Sequence, residues 1–240
     1  MPPLVPLVVH AQYLVAWNGI TIGRINMDVQ EDATQYALTV DTKTHGIGLL
    51  FKTERRIAEA NGTVENGHYI PNHFESRPQG KDEGVRNTIL YDATGAIQSR
   101  EQVPPDDPNW RPTVPIAQAN TATDPVSAGL ILRRKLYEAM AKGTHEVAIK
   151  TYDGSRLAEM HFVALQPTAR VEMLDSYTDA VDTVVTRQPI TGYTPKEMKK
   201  YNAGDPVIHL YFTANPQFIP IRTTVSMPIG ELSVSLVEMH

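Results

Sequence analysis

The sequence predicts a mainly β protein, a long antiparallel meander interrupted by one long helix near its middle. Three observations predict it: apolar residues recur at every second position, two-residue turn signals punctuate them, and a single stretch switches to helical spacing. The chain has 240 residues, of which 41% are hydrophobic and 20% charged. That balance suits a folded domain and argues against disorder or a coiled coil.

The alternation is clear at Tyr36, Leu38 and Val40, at Leu232, Val234 and Leu236, and at His161, Val163 and Leu165. Side chains along a strand point to opposite faces in turn, so each segment reads as a strand with one buried and one wetter face. The turn signals are Asn18-Gly19, Asn61-Gly62, Asn66-Gly67, Thr94-Gly95 and Asp153-Gly154. Such pairs tolerate the positive φ of tight hairpin turns, which join antiparallel neighbours. The pattern predicts about 12–14 strands.

The helical segment covers residues 124–142. Thr123 or Asp124 can cap its start, Pro125 suits its first turn, and Gly143 stops it. Val126, Leu130, Leu136, Tyr137 and Met140 form an apolar stripe. Arg133 and Arg134 are expected to extend outward along it. Gly129 costs about 1 kcal/mol relative to alanine inside a helix, so a close approach to a strand is expected there. Thr194-Pro195-Lys196-Glu197 has the spacing of a capping box and predicts a second, short helix. Between strands and helix, VPPDDPNWRPTVP (103–115) is too rich in proline for a central strand and reads as a loop. One domain is expected over residues 12–240, because neither half could cover its own sheet. Residues 1–11, MPPLVPLVVHA, read either as the remnant of a secretory signal or as an apolar arm or edge strand.

Composition removes several functions. There is no cysteine, so thiol catalysis, cysteine-ligated metals and disulfides are excluded. The net charge is −5 and the longest basic run is Arg133-Arg134-Lys135, which does not suit nucleic acid. No apolar run reaches the length of a membrane-spanning helix. Gly46-Ile47-Gly48 lacks the rest of a phosphate-binding loop.

The catalytic and metal patterns are each met by an ordinary structural explanation. His68 and His73, with Glu65 and Glu75, do not have helical zinc spacing, and Pro71 forbids a helix there. Ser155, Asp153 and His161 could be read as a hydrolytic triad, but no nucleophile elbow accompanies them and a hairpin accounts for the segment. Glu101, Asp106 and Asp107 lack a calcium-loop pattern. No catalytic residue, metal ligand or cofactor is therefore assigned. Aromatic residues are the better lead: Trp17 before a tight turn, Trp110 in the Pro-rich loop, Tyr211 and Phe212 on opposite faces of one strand, and Phe218 beyond it.

Seven segments together resemble the DUF3108 family of uncharacterised exported proteins of Gram-negative bacteria. They are Tyr13–Gly23 (YLVAWNGITIG), His68–Arg77 (HYIPNHFESR), Tyr91–Gly95 (YDATG), Asp124–Ala128 (DPVSA), Tyr152–Arg156 (YDGSR), Pro220-Ile221-Arg222 and Pro228–Leu232 (PIGEL). Their order and spacing match over nearly the whole chain. Relatives carry a cysteine between the helix and the Asp-Gly turn, but Thr144–Thr151 has none, so no disulfide is carried over. The resemblance implies an exported, periplasmic protein whose sheet curls into an open barrel or spiral with the helix on its concave face. That outline is similar to the lipoprotein carriers LolA and LolB. It implies no activity.

Three functions follow as expectations. The first is a non-enzymatic periplasmic envelope protein that binds a lipid, a lipoprotein or an envelope protein, with Trp17, Val126, Leu130, Leu136 and Met140 lining a groove. The second is a scaffold with a filled core that binds proteins through rim loops, with Trp110 at the contact. The third is a hydrolase of cell-wall components.

Overall fold

A computed structural model of the chain describes residues 5–45, 54–79, 84–166, 168–174 and 176–240. Gly46–Gly48 and the first four residues of the apolar N-terminal stretch lie outside the described residues.

The elements follow the alternation. Seven strands come first: β1 (Val8–Trp17), β2 (Ile20–Glu31), β3 (Gln35–Thr44), β4 (Glu54–Glu65), β5 (His68–Pro78), β6 (Arg86–Tyr91) and β7 (Ile97–Val103). A loop leads to a single-turn helix α1 (Ile116–Ala119) and the long helix α2 (Pro125–Ala141). Then come β8 (Glu146–Tyr152), β9 (Leu157–Ala164), β10 (Ala169–Met173), β11 (Ser176–Thr191), the short helix α3 (Pro195–Asn202), β12 (Val207–Thr213), β13 (Pro220–Met227) and β14 (Gly230–Met239).

All fourteen described strands belong to one antiparallel sheet in the order β7-β6-β5-β4-β3-β2-β1-β14-β13-β12-β11-β9-β8, with β10 beside β11. The first and last strands pair in the middle of the sheet. Its two edges are β7 and β8, strands joined by the connection that carries α2. The chain thus leaves one edge, crosses the concave interior as a helix and begins the other edge. The sheet curls far enough for its edges to meet through side chains but not through a ladder. Arg100 on β7 donates to the Tyr152 hydroxyl at 2.7 Å. Ser155, in the turn after β8, donates to Gln102 on β7 at 2.8 Å.

The helix caps and stops where local chemistry directs. The Asp124 carboxylate accepts from the N–H groups of Val126 and Ser127, and Pro125 occupies the first turn. Gly143 supplies the positive φ that ends it. In α3, Thr194 and Glu197 form the reciprocal capping box.

α2 packs on both wings of the sheet. Val126 and Leu130 join a core cluster with Tyr36, Phe74 and Ile89 from the first wing, while Leu132, Leu136 and Tyr137 pack with Phe162, Phe212 and Phe218 from the second. Only Pro125, Gly129, Lys135, Glu138 and Ala141 of the helix are exposed. At the N-terminal end, Val8–Ala11 form the start of β1, and Leu7, Val9 and Ala11 are core residues.

Four local expectations are corrected. Arg133 does not extend outward. Its side chain is 2% exposed and pairs with the fully buried Glu31 at 3.0 Å. Its guanidinium also donates to the carbonyls of Gln217 at 2.8 Å and Val5 at 2.6 Å. Arg134 turns to the same carboxylate at 3.3 Å. The helix turns Arg133 into the enclosed interior and leaves Arg134 half-buried, and buried Glu31 supplies the compensating charge.

Asn61-Gly62 is not a turn but lies inside β4, where the register with β5 shifts. Gly62 is needed for close approach: a Cβ there would sit 2.1 Å from the Ile70 carbonyl oxygen and 2.7 Å from the Tyr36 ring. Gly129 touches nothing, since a Cβ would find open space within 4 Å. In β9 the inward face is Phe162 and Ala164, while Val163 and, just beyond the strand, Leu165 are exposed. The larger aromatic takes the core side, which a short apolar alternation alone does not specify.

Candidate functional site

Successive inward positions on four strands stand directly opposite one another. One row runs Ala60, Phe74, Ile89, Arg100 and is apolar until its last member. The next row towards the open end runs Ala58, Ser76, Asn87, Gln102 and is mostly polar. Across the gap between the sheet edges this second row continues into Ser155. Directly opposite residues on one face are side-chain neighbours, so the core ends in a polar shelf at one mouth of the barrel.

The shelf bounds a cleft of about 440 Å³. Ala58, Phe74, Pro125 and Val126 give it an apolar floor, and Arg56, Arg111, Arg156, Asp106 and Asp153 stand around it. The guanidinium groups are already engaged. Arg56 donates to Ser76 Oγ and to the Val85 carbonyl, both at 3.1 Å. Arg111 lies 2.9 Å from Asp106 and 2.9 Å from Glu197, and it donates to the Gly192 carbonyl at 2.6 Å. Arg156 binds Glu197 at 2.6 Å and Asp153 at 3.1 Å. Burial alone would raise the pKa of Glu197. Hydrogen bonds from Arg111, the Thr194 N–H and Arg156 outweigh it and hold the carboxyl at about 2, below its ordinary 4.5. Among the described residues that line the cleft, Asn87 is 9% exposed and has a fully buried side-chain oxygen without a hydrogen bond.

Arg111 also fixes the rim. Its guanidinium lies 5.3 Å from the centre of the Trp110 ring. Trp110 is 56% exposed, whereas the Arg111 side chain is 6% exposed. The loop therefore presents an indole to solvent on a buried arginine held by three partners.

The residues singled out from the sequence disperse. Val126 lines the cleft and shares a cluster with Leu130. Leu136 is in the second cluster, with Met140 half-buried against it. Trp17 packs elsewhere, with Val15 and Ile22. Ser155 and Asp153 reach the cleft, while His161 pairs with Glu159 at 3.2 Å. His68 stands opposite Glu65, and His73 opposite Asn61. Among the described residues no three His, Asp or Glu side chains gather as a metal site would need.

Sequence reasoning missed Arg56, Ser76, Asn87, Gln102, Arg111 and Arg156. A signal existed for three segments: the runs HYIPNHFESR, DPVSA and YDGSR, which carried the family resemblance, supply Phe74, Ser76, Pro125, Val126, Asp153, Ser155 and Arg156 to this one cleft.

The model of the DUF3108 family, described as a protein of unknown function, matches residues 12–237. No curated protein matches the chain. Among solved structures, a β-barrel-like protein with the domain of unknown function DUF1849, from Brucella abortus, is similar over 99% of this chain and 98% of its own, with 11% identity and a TM-score of 0.52. A candidate lipoprotein from Parabacteroides distasonis aligns over 99% and 97% at 10% identity, with a TM-score of 0.42. A candidate exported protein with a YmcC-like fold from Bacteroides fragilis aligns over 99% and 97% at 10% identity, with a TM-score of 0.39. The first of these likenesses bears on the fold: an open, barrel-like curl of a single sheet.

Proposed function

We propose that this chain, which belongs to the DUF3108 family, is a non-enzymatic cell-envelope protein that binds an envelope protein or lipoprotein through the rim of its curled sheet. The carrying observation is Trp110, an exposed indole on a loop whose next residue, Arg111, is buried and tied to Asp106, Glu197 and the Gly192 carbonyl. Tryptophan and arginine are the residue types that most often dominate protein interfaces, and a pre-ordered anchor loses little entropy on binding.

A filled core supports this over carriage of a lipid chain. Leu130 and Leu136 are 3% and 0% exposed, so the stripe expected to line a groove is packed against the sheet by the protein's own side chains. The envelope location rests on the exported class that the resemblance implies.

A photo-crosslinker at Thr113 tests the reading in envelope extracts. A single defined protein adduct is expected, reduced several-fold by Trp110→Ala. Adducts indifferent to Trp110, or a stoichiometric lipid carried through native mass spectrometry, would overturn it.

A further inference from the structure

Three Asn-Gly pairs occur in the chain, Asn18-Gly19, Asn61-Gly62 and Asn66-Gly67, and the fold gives each a different environment. An asparagine side chain before glycine is open to attack by the next backbone nitrogen, because glycine has no Cβ to shield it. We infer that Asn66 is a site of spontaneous covalent modification in the folded protein, converting to aspartate and isoaspartate, while the fold protects Asn18 and Asn61.

The only co-reactant is water. The Gly67 nitrogen attacks Asn66 Cγ, and the new N–Cγ bond closes a cyclic imide. The Cγ–Nδ2 bond breaks, and Nδ2 leaves as ammonia with the proton from the Gly67 nitrogen. Water then opens the ring. Cleavage at Cγ gives aspartate, and cleavage at the Asn66 main-chain carbonyl gives isoaspartate, with the chain running through the side-chain carbon. Nothing is oxidised or reduced.

The ring closes only where the side-chain amide and the next nitrogen can turn towards each other. Asn61 lies inside β4, opposite Ala37 on β3 and His73 on β5. Its glycine is hemmed in, since a Cβ on Gly62 would collide with the Ile70 carbonyl oxygen. Asn18 is in a hairpin turn but is pinned to β14. Its N–H donates to the Glu231 carbonyl and its Oδ1 accepts from the Glu231 N–H, both at 2.9 Å. Gly230 packs against the same amide, where a Cβ would collide with it. Asn66 has neither restraint. It is exposed in the β4–β5 turn, with φ 51° and Gly67 at φ 78°. Its side-chain amide makes no hydrogen bond among the described residues. Exposed turn tips are where the backbone moves most freely. The new carboxylate arises one residue before Gly67, where a Cβ would lie 3.4 Å from Nη1 of Arg134, the residue that pairs with Glu31.

The test is a time course of the full chain at mildly alkaline pH, folded and in urea, read by peptide mass spectrometry and by labelling with an isoaspartyl methyltransferase. In the folded chain the Asn66 peptide is expected to exchange NH2 for OH several-fold faster than the Asn18 and Asn61 peptides, and to take the isoaspartyl label. In urea the three rates should converge. Asn66→Gly keeps a residue that tolerates the positive φ of the turn and removes the reacting amide, so the acidic form that accumulates on ion exchange should disappear. An unchanged Asn66 peptide over a period in which the urea sample reacts, a folded-state rate at Asn18 or Asn61 equal to that at Asn66, or the same order of rates in urea would overturn the inference. These outcomes are read from the wild-type chain, so they stand whether or not the variant folds. The turn lies at the opposite end of the strands from Trp110, and the crosslink there is read independently.

Discussion

At Gly62 and Gly129 the same residue type answers opposite demands. Gly62 sits where β5 and Tyr36 come too close for any side chain. Gly62→Ala is expected to destabilise the fold by about 1–3 kcal/mol, the usual cost of forcing atoms into a packed site, measured by urea denaturation. Gly129 lies on the exposed stripe of α2 with open space around it. Gly129→Ala should stabilise by about 0.5–1 kcal/mol, through helix propensity and a less flexible unfolded chain. Sequence reads Gly62 as part of a turn and Gly129 as a glycine inside a helix. Only the neighbouring strand, or its absence, decides the sign of the effect.

At the scale of elements, two helices are held by charge in different ways. α2 is locked by Arg133, buried against Glu31, whose carboxylate also accepts from the Leu7 N–H at 3.0 Å and from the Tyr69 hydroxyl. This one carboxylate ties the N-terminal segment, β2, β5 and the helix together. Arg133→Met should cost about 3–5 kcal/mol, because it leaves Glu31 buried beside only the half-buried Arg134. A double-mutant cycle with Glu31→Gln should show strong coupling, and additive effects would contradict the account. α3 is instead held by Glu197, which caps the helix and binds two arginines. Its carboxyl has a folded-state pKa of about 2 against 4.5 ordinarily. A depressed carboxylate stabilises the fold above its unfolded pKa, and that stability is lost as pH falls through the folded value. Denaturation between pH 5 and 2 should therefore show a decline in stability that Glu197→Gln flattens.

For the whole molecule, the weak line is the gap between β7 and β8. It is closed by side chains and by the 111–124 segment rather than by a ladder. Asn120 accepts from the Ile97 N–H on β7 at 2.9 Å, and Thr123 bridges to Thr151 on β8. Asn120→Ala leaves that N–H without its partner. It should cost about 1–3 kcal/mol, with amide exchange accelerating first at Ile97. Uniform acceleration across all strands would show that the gap is no weaker than the rest.

Much of this architecture is local and was legible. Alternation marks Tyr36 and Leu38 as inward, Asp124 and Pro125 open a helix, Gly143 closes it, and Thr194 with Glu197 builds a capping box, because each depends on residues a few positions apart. The polar shelf is different. Ser76, Asn87 and Gln102 become neighbours only through the register of three strands, and Ser155 joins them only because the sheet curls until its edges meet. Arg133 finds Glu31 across 102 residues of chain. Burial and pairing over such distances are set by how the strands align and enclose the helix, so the elements belong to the sequence and the site to their assembly.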